Sequence, residues 1–86
     1  MCTDKELVIR TLKEANIFFR RKKYDLVITC CDQVLRLEAA NTETKTLKIK
    51  ALLQIVEYYL QKEEFPSALY FCDKAIRIDK LILHLL

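Results

Sequence analysis

The chain has 86 residues, 52% of them hydrophobic and 31% charged, and its formal net charge is +3. This length allows one domain with a modest core, and the composition is not that of a disordered or polyanion-binding chain. The chain has no glycine and one proline, which excludes glycine-rich phosphate loops and favours long helices over many short strands. No apolar run is long enough to span a bilayer and no secretory signal opens the chain, so we expect a cytoplasmic or nuclear protein that does not enter membranes.

Four helices are predicted in chain order. The first begins at Thr3, whose spacing to Glu6 is that of a capping box, and the basic run 20–23 closes it. A second helix follows, a third begins with N-cap chemistry at residues 41–43, and Pro66 suits the first turn of a fourth. The apolar residues predicted to form helical faces are Leu7, Leu12, Ala15, Ile17, Phe18 and Phe19, then Leu26, Val27, Val34, Leu35 and Leu37, then Leu47, Leu52, Leu53, Val56, Tyr59 and Leu60.

Residues 22–38 align with residues 63–79 at an offset of 41, which indicates that the chain contains one sequence unit twice. The helices upstream align at the same offset, with Ala15 on Val56 and Phe18 on Tyr59. The matched pairs in the second and fourth helices are Tyr24 and Phe65, Val27 and Ala68, Ile28 and Leu69, Cys31 and Cys72, Asp32 and Asp73, Val34 and Ala75, Leu35 and Ile76, and Arg36 and Arg77.

The two units resemble the tetratricopeptide repeat (TPR) family, a helix-turn-helix motif of 34 residues with small side chains at its crossing points. The resemblance implies an all-α single domain, a short right-handed α-solenoid with repeat one at about 3–40, repeat two at about 42–79 and an apolar extension at 80–86. The family usually has glycine in the turn where this chain has Lys22 and Glu63. Each turn must therefore either hold a non-glycine residue at positive φ or take another shape.

A narrower resemblance is to the TPR domains of large immunophilins and chaperone cofactors, which hold an acidic C-terminal chaperone peptide in a carboxylate clamp. Only Asn16 falls on a clamp position. The first clamp lysine position is Leu12, beside Lys13, and the second clamp asparagine position is Gln54. In those proteins the first helix of a third repeat completes the clamp, and that helix has no counterpart in the 86 residues.

We therefore predict a non-catalytic adaptor that binds a partner peptide or helix in a groove lined by the first and third helices. A co-chaperone fragment that recognises an acidic chaperone peptide is the alternative, and an RNA-binding helical repeat, suggested by the basic run 20–23, ranks third because aromatic stacking platforms beside that run are scarce. The predicted contact residues are Leu12, Lys13, Asn16, Phe19, Arg20, Leu53, Gln54, Glu57 and Leu60.

Catalytic, metal and cofactor chemistry is not expected. The cysteines have no metal-type spacing, and Cys31 and Cys72 occupy equivalent helix positions where packing favours a small apolar side chain. The single histidine, His84, lies in an apolar stretch without a neighbouring nucleophile or acid.

The apolar stretch at the end of the sequence is unusual. Two repeats leave an uncovered flank on the last helix, and stacked repeats normally cover such a flank with another helix. Either another molecule completes this flank, through self-association or a separate partner, or the sequence is part of a longer repeat array. The self-association candidates are Leu81, Ile82, Leu83, Leu85 and Leu86.

Overall fold

The computed structural model describes residues 4–78. They form four helices and no strand: α1 (Asp4–Arg20), α2 (Tyr24–Leu37), α3 (Thr42–Gln61) and α4 (Phe65–Ile78). Each helix packs against the next one along the chain, so α2 and α3 each lie between two neighbours. The predicted all-α class and the four-helix order are confirmed, and the array measures 48 × 26 × 17 Å.

The two helical hairpins turn through the same backbone motif. Lys22 has φ 62° and Glu63 has φ 60°, both in the left-handed region that a Cβ disfavours. In the first turn, Lys23 N–H donates to the Phe18 carbonyl at 2.9 Å and Lys22 N–H to the Phe19 carbonyl at 3.0 Å. This is the Schellman pattern, in which one residue at positive φ lets the chain satisfy the last carbonyls of a helix.

The second turn repeats the motif, because Glu64 N–H donates to Tyr59 O at 2.9 Å and Glu63 N–H to Leu60 O at 3.0 Å. The sequence left open whether these turns strain a non-glycine residue or change shape, and the structure shows the strained alternative in both. The twofold use of one sequence unit is thus matched by a twofold use of one turn.

The start of α3 confirms the predicted N-cap. Asn41 Oδ1 accepts from the backbone N–H of Thr44 at 2.9 Å and from its hydroxyl at 2.8 Å. Thr44 is fully buried, and the second bond satisfies its hydroxyl inside the fold. Pro66 lies in the first turn of α4 as predicted, whereas Thr3 is outside the described residues.

The core follows α3 in two adjoining clusters. Val27 and Cys31 of α2 pack with Ala51 of α3, and the other side of α3 places Ile49 and Leu52 against α4. The predicted face of α1 is partly wrong, because Leu7 and Ile17 are exposed while Val8 and Thr11 are buried; Ala15 is buried as predicted. Other predicted core residues that the structure leaves exposed are Leu26, Leu37 and Leu60.

Among residues 4–78, no helix combines the length and apolarity needed to cross a membrane.

Candidate functional site

A groove of about 800 Å³ runs between α2 and α4 and has α3 as its floor. We call it the large groove. It exists because α3 packs against both α2 and α4, so those two helices stand apart as walls on either side. The residues that line it are Lys22, Tyr24, Asp25, Ile28 and Asp32 on one wall, Lys48, Leu52, Ile55, Tyr58 and Tyr59 on the floor, and Phe71, Lys74, Arg77 and Ile78 on the other wall.

The aromatic residues of the large groove lie where α3 ends. Tyr59 of α3 stacks on Phe71 of α4 with ring centroids 5.6 Å apart and ring planes 8° from parallel. Tyr58 meets Tyr59 edge to face at 5.2 Å, and Lys62 Nζ lies 4.6 Å from the centre of the Tyr58 ring. The Tyr58 side chain also raises the pKa of Lys62, mainly by a hydrogen bond. This end offers flat apolar rings beside a cation.

The opposite end of the large groove is charged. Lys48 Nζ lies 2.6 Å from Asp32 Oδ1, a bond that joins α3 to α2, and Arg77 pairs with Asp73 within α4 at 3.0 Å. Between the two ends, aliphatic side chains from α2 and α3 line the floor. The large groove therefore changes from aromatic to aliphatic to ionic along its length.

Lys74 adds a further cation to the α4 wall. Its Nζ lies 4.7 Å from the centre of the Tyr70 ring and 5.9 Å from that of Phe71. Cations outnumber carboxylates among the lining residues by two, so the rim carries a net positive charge. Opposite charges on a partner are favoured at such a rim, and the attraction falls as salt screens it.

A second, smaller groove of about 370 Å³ lies between α1 and α3. It is lined by Asn16, Thr42, Glu43, Thr46, Leu47 and Lys50. Of the predicted contact residues, Asn16 alone lines this small groove, and its side-chain amide donates to the Leu12 carbonyl at 2.9 Å. That bond ties the amide to its own helix.

The other predicted contact residues lie on α1 and α3 but line neither groove. Leu12, Phe19 and Leu53 are half-buried, and Phe19 packs in the core near Tyr24 with ring centroids 5.4 Å apart. The exposed ones are Lys13, Arg20, Gln54, Glu57 and Leu60. The self-association candidates Leu81, Ile82, Leu83, Leu85 and Leu86 lie outside the described residues, as does His84.

The sequence did not indicate the large groove. Its residues come from three helices and from the turn before α2, and Tyr24 on the first wall is 54 positions from Ile78 on the second. The one sequence feature that could have indicated this groove was the aromatic pair Tyr58-Tyr59, of which helical spacing assigned Tyr59 to the core.

Cys30 and Cys31 are buried packing groups, whereas Cys72 is half-buried. Cys31 is 0% exposed, and burial, followed by the neighbouring Cys30 and Asp32, raises its pKa to about 12 although Lys48 acts to lower it. Burial also raises the pKa of Cys30, with a smaller contribution from Glu14. Thiols held protonated at neutral pH are poor nucleophiles and poor metal ligands. Within residues 4–78, no three side chains of the histidine, cysteine, aspartate or glutamate type come close enough together to hold a metal ion.

Comparison of the chain with protein-family models, with curated proteins and with solved structures found no match.

Proposed function

We propose that this chain is a non-catalytic protein-interaction module that binds a segment of a partner protein in the large groove. The observation that carries the proposal is the groove itself, an open apolar channel of about 800 Å³ with charged residues at its rim. Binding sites in proteins are typically concave and apolar with a few polar groups that fix orientation. A TPR-like architecture would suit this function, and the repeated helical hairpins support it.

The lining residues define the partner's chemistry. Tyr58, Tyr59 and Phe71 offer ring surface to an apolar partner side chain, and Ile55 extends that surface along the floor. The rim carries more cations than carboxylates, which favours acidic residues beside that side chain. The preferred ligand is a short apolar peptide or helix with acidic flanking residues.

The groove between α1 and α3 remains the second candidate surface of the same function. Asn16 and Lys50 border the small groove and could hydrogen-bond a partner from that side. Recognition of an acidic chaperone peptide would use this surface, with Asn16 as its clamp residue. We rank the small groove below the large groove because its volume, about 370 Å³, is less than half of the 800 Å³ of the large groove.

Site-specific photocrosslinking distinguishes the two surfaces. A photoreactive p-benzoylphenylalanine replaces Tyr58, which lines the large groove, or Leu60, the matched control on the same helix with an exposed fraction of 48% against 50% for Tyr58. We expect the Tyr58 position to capture a discrete partner from cell extract and the Leu60 position not to. Capture only from Leu60 would instead favour the predicted surface on α1 and α3, and capture from neither would contradict the proposal.

The captured partner then provides a charge test. Lys74→Glu should weaken its binding by about tenfold or less, because rim charges contribute modestly and are screened by salt. Lys13→Glu makes the same charge change on α1, outside the large groove, and should leave binding unchanged. If Lys13→Glu had the larger effect, the partner would lie on the opposite surface.

A further inference from the structure

The outer side of α4 presents an apolar stripe that we call the α4 flank. It consists of Phe65, Leu69, Cys72 and Ile76, at helical spacings that place them on one side. Cys72 and Ile76 are half-buried, and Ile76 packs against the core cluster of Ile49, Leu52 and Ala75. Leu69 is 70% exposed and Phe65 is 56% exposed, although both are large apolar side chains. Burying such residues is favourable, so the exposed Phe65 and Leu69, beside the half-buried Cys72 and Ile76, form a candidate contact surface.

The first repeat shows how the same stripe is covered. The residues of α2 equivalent to the α4 flank are Tyr24, Ile28, Cys31 and Leu35. In α2 this side packs in part against α3, because Cys31 lies in one cluster with Ala51 and Ile28 packs against the cluster that holds Leu52. Ile28 is consequently half-buried, whereas Leu69, its equivalent on α4, is the most exposed large apolar residue among residues 4–78. Tyr24 and Ile28 also border the large groove.

An ion pair accompanies this packing on α2. Asp32 binds Lys48 of α3 at 2.6 Å. The equivalent residue on α4 is Asp73, which is exposed and pairs with Arg77 of its own helix at 3.0 Å. A helix that covered the α4 flank as α3 covers α2 would place a cation opposite Asp73, so the flank is complementary in charge as well as in shape to an α3-like helix.

A second copy of this chain does not offer such a helix. Its α3 is already packed on both sides, and its α1 carries Glu6 and Arg10 at the positions equivalent to Leu47 and Ala51. Head-to-tail stacking of two copies would therefore place a guanidinium where a methyl group packs in the first repeat.

We propose that the α4 flank binds a helix of a partner protein that presents lysine, alanine and leucine at the spacing of Lys48, Ala51 and Leu52. The leucine and alanine bury the exposed stripe around Leu69, and the lysine pairs with Asp73. This interface lies on a different side of α4 from the residues that line the large groove, so both can be occupied independently.

A synthetic peptide of residues 41–62, which carries the α3 face and its Asn41 cap, is the probe. Fluorescence anisotropy of the labelled peptide should rise on addition of the intact chain. Leu69→Asp should weaken binding about tenfold or more, since a well-packed leucine is commonly worth that much at an interface. Ile17→Asp, at an exposed position of α1, is the matched control and should bind like the wild type. Circular dichroism confirms that both variants are folded.

A charge exchange distinguishes specific binding of the peptide from nonspecific hydrophobic association. The peptide with Lys48→Glu should bind the wild-type chain more weakly and recover affinity with the Asp73→Lys chain. The proposal is wrong if the intact, folded chain does not bind the peptide, or if Leu69→Asp and Ile17→Asp bind it equally. The proposal is also wrong if the peptide binds only to the Leu81→Asp/Leu85→Asp chain, because residues 79–86 would then be the occupant of the flank. It is equally wrong if the chain sediments as a dimer that Leu69→Asp dissociates, because a second copy would then be the occupant.

Discussion

Lys22 and Glu63 hold the two hairpin turns in the left-handed region, at φ 62° and φ 60°. This conformation costs a residue with a Cβ about 1–2 kcal/mol, and glycine escapes that cost. Glycine in turn loses ~0.5–1 kcal/mol more backbone entropy on folding. Replacing either residue with glycine should therefore stabilise the fold by roughly 0.5–1 kcal/mol.

The double variant Lys22→Gly/Glu63→Gly removes one charge of each sign, so the net charge of +3 is kept. The two turns share no hydrogen bond, so the effects should add to about 1–2 kcal/mol. For a chain of this size, each kcal/mol raises the melting temperature by about 4–8 °C. Helical circular dichroism during heating and during urea unfolding measures both quantities.

The matched control is Lys22→Ala/Glu63→Ala, which makes the same charge change but keeps the Cβ. It should give none of the gain, because alanine pays the same penalty at positive φ. If the alanine variant were stabilised as much as the glycine variant, the effect would come from side-chain charge and the strain argument would be refuted. A glycine variant less stable than the wild type would refute it as well.

Three further predictions concern the helix cap, the interhelical ion pair and the thiols. Asn41→Ala should cost about 1–2 kcal/mol in urea unfolding because it removes the N-cap of α3, and Asn41→Ser should recover most of the loss. A double-mutant cycle on Lys48 and Asp32 should give a coupling of ~0.5–1 kcal/mol that shrinks with salt, since both side chains are only partly buried; a coupling unaffected by salt would contradict this. Cys31 should resist alkylation at pH 8 until the chain unfolds, whereas the half-buried Cys72 should react sooner, as peptide mass spectrometry would show.

The raised pKa of Cys31 also sets a pH dependence. A thiol whose pKa is about 12 in the folded chain and near 9 when exposed favours the folded state fully below pH 9. That contribution is lost as the pH rises from 9 toward 12, because the unfolded thiol ionises first. Cys31→Ala should therefore lose less stability than the wild type over this alkaline interval, relative to its own value at pH 7.

The local features of the fold were readable from the sequence because they depend on neighbouring residues. The helical order, the Asn41 cap, the position of Pro66 and the unusual turn residues all follow from spacings of a few positions. The resemblance to TPR proteins rests on the same local pattern. The solenoid geometry that it implies, the predicted contact residues of α1 and α3 and the binding function stay predictions.

The core and the surfaces depended on tertiary packing. The sequence placed Leu7 in the buried face of α1, whereas the structure buries Val8, because a broad apolar face does not say which part meets α2. The sequence treats Ile28 and Leu69 as equivalent positions of the repeat. In the structure, Ile28 packs against the core along α3, whereas Leu69 is exposed.

The absence of glycine shows the same division. The sequence alone excluded glycine-rich phosphate loops and showed that Lys22 and Glu63 occupy turn positions where glycine is usual in the family it resembles. Only the folded chain decided that both turns keep the left-handed geometry, because helix packing on either side fixes their shape more strongly than one residue's preference. The large groove and the α4 flank were likewise decided by helix packing, since each is formed by residues that the sequence separates and the fold brings together or leaves uncovered.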